Sequence, residues 1–273
     1  MTQCVKWDVH GLGGDPTKRL IDMHSIHCYT ADKDHLPNAV APRSAERAIE
    51  MAMALVDLAR IENGVPPTVP RQTICFDEWN VWDPLRAPGE RGAEEKYTLS
   101  DALAVGVWLN IFVRQSSSVG MANIAQSVNV ISPLMTTKRG VVKQTTWWPL
   151  VLFSKYMRGH TIALNVRAPE YTGKTTPAWI RGIIETPYLD CSATISEDEY
   201  ITLAVVNIHE TQDFEVEIRG VTNMVTAYII SGDSIDAVNT EGEEKVGVKE
   251  GSWDGVGKYR FGKASVTLLR WKN

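Results

Sequence analysis

The feature that most constrains how this chain folds is a change of period about two-thirds of the way along it. Up to about residue 160, short apolar runs alternate with helical stretches. The run IDMHSIHCY, Ile21 to Tyr29, reads as a strand that ends in polar and aromatic groups. A helix follows, with Ser44 as its cap, Glu46 in its first turn, and Ala48, Met51, Ala52, Leu55, Val56 and Ala59 at helical spacing until Asn63-Gly64 stops it. The proline-bearing turn VPPTVPRQ leads into a second strand, Thr73 to Phe76. After a polar loop, Thr98 and Asp101 make a capping box ahead of the helix DALAVGVWLNIFVRQ, and VGMANIAQSVNVI supplies a third strand with Gln126 near its end. Strands that are apolar throughout, alternating with helices, imply a parallel sheet covered by helices. From about Pro187 the pattern becomes YITLAVVNI, FEVEIRG, MVTAYII and ASVTLLRW, short strands parted by turns, which reads as an antiparallel β-sandwich. The boundary is expected in the loop-like stretch between Gly159 and Pro187, giving domains at 1–165 and 166–273.

A barrel of eight strand-helix units needs about 250 residues, and only three such units precede the sandwich here. The first part is therefore either a small open sheet or the back portion of a barrel. In the latter case its edge strands and apolar inner face would lack their partners, and the chain alone would be poorly soluble or dependent on a partner fragment.

With 273 residues, 44% of them hydrophobic, the chain has enough apolar material for a sizeable core. A formal net charge of −5 with scattered Lys and Arg leaves no basic footprint, so nucleic acid is not an expected partner. No apolar run approaches the ~20 residues of a membrane span, so no membrane partner is expected. The N-terminus MTQCVKWDVHGLGG lacks the pattern of a signal peptide, and Cys4, Cys28, Cys75 and Cys191 are neither paired nor spaced for metal. These features predict reduced thiols and a cytoplasmic chain with no metal.

Within TICFDEWNVWDP, Thr73 to Pro84, a strand runs directly into Asp77 and Glu78, followed by Trp79 and Trp82. The C-terminal end of a parallel strand is where α/β proteins place their chemistry. A lone strand-end carboxylate is more often solvated or paired with an arginine, but here Trp79 and Trp82 offer flat apolar faces on which sugar rings pack. Retaining glycosidases need a nucleophilic carboxylate and an acid/base carboxyl group about 5–5.5 Å apart. Neighbouring strand residues point to opposite faces, so Asp77 and Glu78 are not expected to serve as that pair, and a second carboxyl group must come from another strand.

Together FDEWNVW, the preceding SIHCY, the downstream AQSVNVISPLM and QTTWWPL resemble the family 51 glycoside hydrolases, chiefly α-L-arabinofuranosidases. The resemblance runs from about Trp7 to the C-terminus. It implies strands six to eight of a (β/α)8 TIM barrel followed by a jelly-roll-like sandwich. It further implies retaining hydrolysis of terminal non-reducing α-L-arabinofuranosyl residues from arabinan or arabinoxylan oligosaccharides, with no cofactor and with homo-oligomers such as hexamers in the complete enzyme. By resemblance Glu78 is the nucleophile, His27 and Tyr29 orient it and contact the sugar, Trp82 borders the arabinose site, and Gln126 hydrogen-bonds arabinose hydroxyls. Trp147-Trp148 packs at the last barrel helix, and His24 and His160 are structural. The family's acid/base lies in a Gly-Asn-Glu motif that occurs nowhere in these 273 residues. The chain is thus expected to be the C-terminal portion of such an enzyme and inactive alone. A non-catalytic carbohydrate-binding or scaffold protein derived from one is the competing reading, and another barrel glycosidase such as an endoglucanase is a third, though it would lack the AQSVNV segment.

Overall fold

A computed structural model describes residues 2–10, 21–82, 93–221 and 223–273. Asp83 and Pro84, at the end of the stretch quoted above, lie outside them.

After a first helix α1 (Thr2–His10), the parallel strands β1 (Met23–Thr30), β2 (Thr73–Val81) and β3 (Val119–Ile124) form a three-stranded sheet in the order β1-β2-β3. The crossovers are helical: α2 (His35–Val40) and α3 (Arg43–Glu62) join β1 to β2, and α4 (Leu99–Arg114) joins β2 to β3. Thr98 and Asp101 form the expected reciprocal capping box on α4. At α3 the expectation fails: Pro42 holds the N-cap position, and Ser44 sits inside the first turn with its hydroxyl donating to the Ala41 carbonyl. Proline suits a helix start because its missing N–H would have had no intrahelical partner there. The short helix α2 had no signal in the apolar spacing, since two of its six residues anchor it by polar bonds; Asn38 bonds Ser100 and Asp101 of α4, and His35 bonds Ser100 and the Ile208 carbonyl.

Beyond β3 come the hairpin β4 (Leu134–Thr136) and β5 (Val141–Lys143), and the helix α5 (Trp147–Tyr156), which carries Trp147 and Trp148. The rest is antiparallel: β6 (His160–Ile162), β7 (Leu189–Ile195), β8 (Tyr200–Asn207), β9 (Phe214–Glu217), β10 (Val225–Ser231), β11 (Gly247–Trp253), β12 (Lys258–Phe261) and β13 (Ser265–Lys272). Six of these make one sheet in the order β11-β10-β13-β8-β7-β6, and β12 pairs with β9 as a separate ribbon. Phe214 and Phe261 of that ribbon close a core with Leu203, Leu269 and Trp271 of the large sheet. The antiparallel sheet already includes residues 160–162, ahead of the 165/166 division. Gly159 makes the turn into it at φ +92°, where any Cβ would fall 2.1 Å from the Ile195 carbonyl oxygen.

No solvent gap separates the two sheets, because α4 fills the space between them. One side of α4 meets the parallel sheet, where Trp108 and Phe112 pack on Phe76 and Trp79. Its other side meets the antiparallel sheet so closely that a Cβ at Gly106 would lie 2.9 Å from Val206 and 3.1 Å from Val266. A helix buried on both faces must be apolar nearly all round, which is why LSDALAVGVWLNIFVR shows no polar stripe. Farther along the same helix, Arg114 and Asn110 reach Asp190 on β7, while Arg114 also bonds Glu46 on α3.

Among the described residues, helices cover only one face of the parallel sheet. The opposite face carries Ser25, His27, Tyr29, Asp77 and Glu78, and this corrects the expectation of an apolar inner face there. Exposed apolar side chains include Met121 of β3 and, on the outer side of α3, a stripe of Met51, Leu55, Leu58 and Ile61.

Candidate functional site

The site grows from an irregularity in β2. Between Ser25 and His27, β1 advances two residues while β2 advances three, from Cys75 to Glu78. The other neighbour agrees: β3 advances from Ala122 to Ile124 while β2 goes from Phe76 to Trp79. Both partners therefore see one extra residue in β2, a β-bulge. The bulge resets the alternation, so Ile74, Phe76 and Trp79 point at the helices while Asp77 and Glu78 both lie on the less buried side. The expected opposition of the two carboxylates is thus wrong, for a reason that only strand pairing supplies.

Both carboxylates converge on one imidazole. His27 places Nε2 at 3.0 Å from an Asp77 oxygen and Nδ1 at 3.7 Å from Glu78 Oε2. The Ser25 hydroxyl donates to Asp77 at 2.8 and 3.0 Å from its two oxygens. That bond, with the backbone and His27 donors, outweighs partial desolvation and holds the Asp77 carboxyl below its ordinary pKa. Asp77 thus stays ionised and is not a proton donor at neutral pH.

On the Glu78 side, the Tyr29 hydroxyl donates to Oε2 at 2.8 Å. Burial, the bond to Glu78 and that residue's charge push the Tyr29 phenol up to about 12. Tyr29 therefore remains a donor at neutral pH. Its ring is met edge-on by Trp82, centroids 5.4 Å apart, and Trp82 is tied to the end of β1 by its backbone N–H donating to the Thr30 carbonyl. Among the described residues Glu78 Oε1 has no hydrogen bond, and the His27 and Glu78 side chains are 48% and 47% exposed. A carboxylate held by one oxygen and open at the other is suited to nucleophilic attack.

Trp79 does not join this surface. It is 2% exposed and packs between Trp108 and Phe112, with centroids 5.5 and 5.1 Å away, so the expected second sugar platform is a core residue. Gln126 lies two residues past the end of β3, and its exposed side chain makes no hydrogen bond among the described residues. Its position rests on a residue with no functional signal of its own in the sequence: the fully buried Asn80 donates to the carbonyls of Ala125 and Ile131, on either side of the Gln126 segment. His24 sits on the helix side of β1 against Gln72, and His160 is exposed on β6, so neither belongs to the cluster. Ser25 and Asp77 do belong. The alternation of His24, Ile26 and Cys28 toward the helices places Ser25 beside His27, but Asp77 needed the bulge.

Among the described residues no group of His, Cys, Asp and Glu is placed to hold a metal, and no helix is long and apolar enough to cross a membrane. A groove of about 400 Å³ lies between the β4–β5 hairpin and the 239–244 turn, lined by Arg139, Lys143, Glu241 and Glu243, and none of the cluster residues borders it.

Residues 77–267 match the family described as α-L-arabinofuranosidase C-terminal domain. The chain is 64% identical to a probable α-L-arabinofuranosidase C of Aspergillus flavus, over 93% of this chain and 50% of that one. It is 62% identical to α-L-arabinofuranosidase C of Emericella nidulans over the same shares. A more distant relative, the intracellular exo-α-(1→5)-L-arabinofuranosidase of Halalkalibacterium halodurans, is 31% identical over 74% of this chain and 41% of its own. The chain thus spans about half the length of the fungal relatives. Its fold superposes on the α-L-arabinofuranosidase of Thermotoga maritima with a TM-score of 0.78 at 24% identity, covering 98% of this chain and 56% of that one.

Proposed function

Because the chain belongs to the family 51 α-L-arabinofuranosidases, as a C-terminal portion of such a glycoside hydrolase, we propose that the complete protein removes terminal non-reducing α-L-arabinofuranosyl residues, with retention, from arabinan or arabinoxylan oligosaccharides. The observation that carries this reading is Glu78: an open carboxylate on a parallel strand, held through Oε2 by Tyr29 and faced by His27.

Glu78 Oε1 attacks the anomeric carbon of arabinose. The C1–Oε1 bond forms as the bond from C1 to the aglycone oxygen breaks, and that oxygen takes a proton from an acid outside these 273 residues. Water, deprotonated by the same group, then attacks C1 and releases Glu78. In the transition state charge leaves Oε1, while Tyr29 keeps the carboxylate from rotating and Trp82 walls the sugar. Gln126 reaches a ring hydroxyl, and the reaction calls for no cofactor. In this reading β1, β2 and β3 are the sixth to eighth strands of a (β/α)8 barrel, residues 1–165 its partial catalytic domain and 166–273 a jelly-roll-like sandwich. The named location of the Halalkalibacterium halodurans relative favours a cytoplasmic enzyme.

The competing reading, a non-catalytic sugar-binding scaffold, draws on the missing Gly-Asn-Glu. It is weakened by Trp79, whose burial removes one of its two sugar platforms. The test is covalent labelling of the complete enzyme, either from its own gene or as this chain joined to the N-terminal half of the Emericella nidulans protein. An arabinofuranose-configured epoxide should alkylate Glu78, located by peptide mass mapping; an adduct on another residue overturns the assignment. The 273-residue chain alone should lose about 10²–10⁴-fold on natural oligosaccharides, for want of the acid, and less on aryl arabinofuranosides whose leaving groups need little protonation.

A further inference from the structure

We propose that Asp77 is a positioning residue for the nucleophile, acting through His27, and that the bulge in β2 exists in this fold to bring it there. The inference rests on the reading of Glu78 as nucleophile. A regular strand would turn Asp77 to the opposite face from Glu78; the extra residue between Phe76 and Glu78 places both beside β1. The result is a chain of contacts, Ser25 to Asp77 to His27 to Glu78, at 2.8, 3.0 and 3.7 Å.

The first two links have a defined polarity, and the third is a packing contact. A carboxylate only accepts, so the Asp77 oxygen 3.0 Å from Nε2 requires the proton on that nitrogen. Ser25, bonded to both Asp77 oxygens, stops the carboxylate turning away. The imidazole plane is thereby fixed, and its other nitrogen faces Glu78 Oε2, the same oxygen that Tyr29 holds. Among the described residues, the titratable groups against His27 are Asp77 and Glu78 from β2, with Tyr29 of its own strand bonded to Glu78. Without Asp77 the half-exposed His27 has, among the described residues, no partner besides Glu78 and the Ser25 hydroxyl 3.4 Å from Nε2, and it can turn about its side-chain bonds. The imidazole would then no longer pack against the Glu78 carboxylate, whose hydrogen bond comes from Tyr29, and Oε1 would lose its aim at the anomeric carbon.

The test is a double-mutant cycle on the complete enzyme, with Asp77→Asn, His27→Gln and the pair, assayed on an aryl arabinofuranoside. Asp77→Asn should lower kcat by about 10- to 100-fold with KM little changed, the scale seen when a supporting group is taken from an aligned site. If Asp77 acts only through His27, the double variant is no slower than His27→Gln alone, within about twofold. Additive losses, a loss confined to KM, or Asp77→Asn turning over within about twofold of wild type each overturn the proposal. Should Asp77→Asn not fold, Ser25→Ala carries the test: it leaves the carboxylate in place but frees it, and should give a smaller loss in kcat that also vanishes in a His27→Gln background. An unlabelled Glu78 in the wild type overturns the functional reading instead, whereas a labelled Glu78 with an inert Asp77→Asn change overturns this inference alone.

Discussion

Arg114→Met is the substitution whose cost can be worked most directly from the structure. The Arg114 guanidinium donates to Glu46 from Nε and Nη2, both at 3.0 Å, and to Asp190 from Nη1 and Nη2 at 2.9 and 3.1 Å. It also donates to the Cys191 carbonyl at 2.8 Å. Burial opposes its charge, but the Asp190 carboxylate and the bonds to Glu46 outweigh that and hold its pKa above even the usual arginine range. Methionine replaces most of the stem and strands two carboxylates that are 9% and 4% exposed. Stranding a buried charge costs ~3–5 kcal/mol. Two groups soften this: Arg43 stays bonded to Glu46 and lies 3.4 Å from Asp190, and Asn110 still donates to Asp190 at 2.9 Å. The lower end, about 3 kcal/mol, is therefore expected, roughly two orders of magnitude in the folding constant. Arg114→Lys keeps a charge but not the fork, and should cost about 1–2 kcal/mol. Urea unfolding of the dilute chain at pH 7, followed by tryptophan fluorescence, measures both. A loss for Arg114→Met below about 1 kcal/mol at unchanged m would refute the reasoning, because it would mean that water already solvates Glu46 and Asp190.

Tyr29 should titrate at about 12, chiefly because burial disfavours its charged form and further because its neutral form donates to the Glu78 carboxylate, so Glu78→Gln should lower it only part of the way toward 10; ultraviolet difference spectra with Tyr29→Phe as the reference identify it. Because the folded value is the higher one, this interaction stabilises fully below pH 10 and its contribution is lost as pH rises through about 12. Asn80→Ala leaves the Ala125 and Ile131 carbonyls without their side-chain donor, which should cost about 2–4 kcal/mol in thermal unfolding and raise KM in the complete enzyme by loosening the Gln126 segment. Gly106→Val drives a branched side chain into Val206 and Val266 and should destabilise by about 1–3 kcal/mol, with partial rescue by Val206→Ala. The chain alone should self-associate through the Met51, Leu55, Leu58 and Ile61 stripe and the open sheet edges, and Leu55→Glu with Leu58→Lys should shift it toward monomer in sedimentation velocity.

What the sequence determined by itself was whatever depends on neighbours along the chain. The Thr98–Asp101 capping box joins residues three apart, and the antiparallel segments announce themselves by short apolar runs between turns. His27, Tyr29, Glu78 and Trp82 were legible as a set because they are carried by two compact motifs at the ends of apolar runs, and parallel pairing of those runs brings the ends together. Tertiary structure alone decided the rest. Whether Asp77 shares a face with Glu78 depends on registers set by β1 and β3, and no property of Asp77 or its neighbours in β2 encodes them. The same shift turned Trp79 into the core, where Trp108 and Phe112, about thirty residues away in sequence, take up its ring. The start of α3 moved to Pro42 because α2, held by side-chain bonds to α4 with no apolar period of its own, already occupies the preceding turn. The two sheets share one body because α4 is apolar on both sides; its composition was plain from the sequence, but that it fills the space between two sheets follows only from where β8 and β13 pass over Gly106.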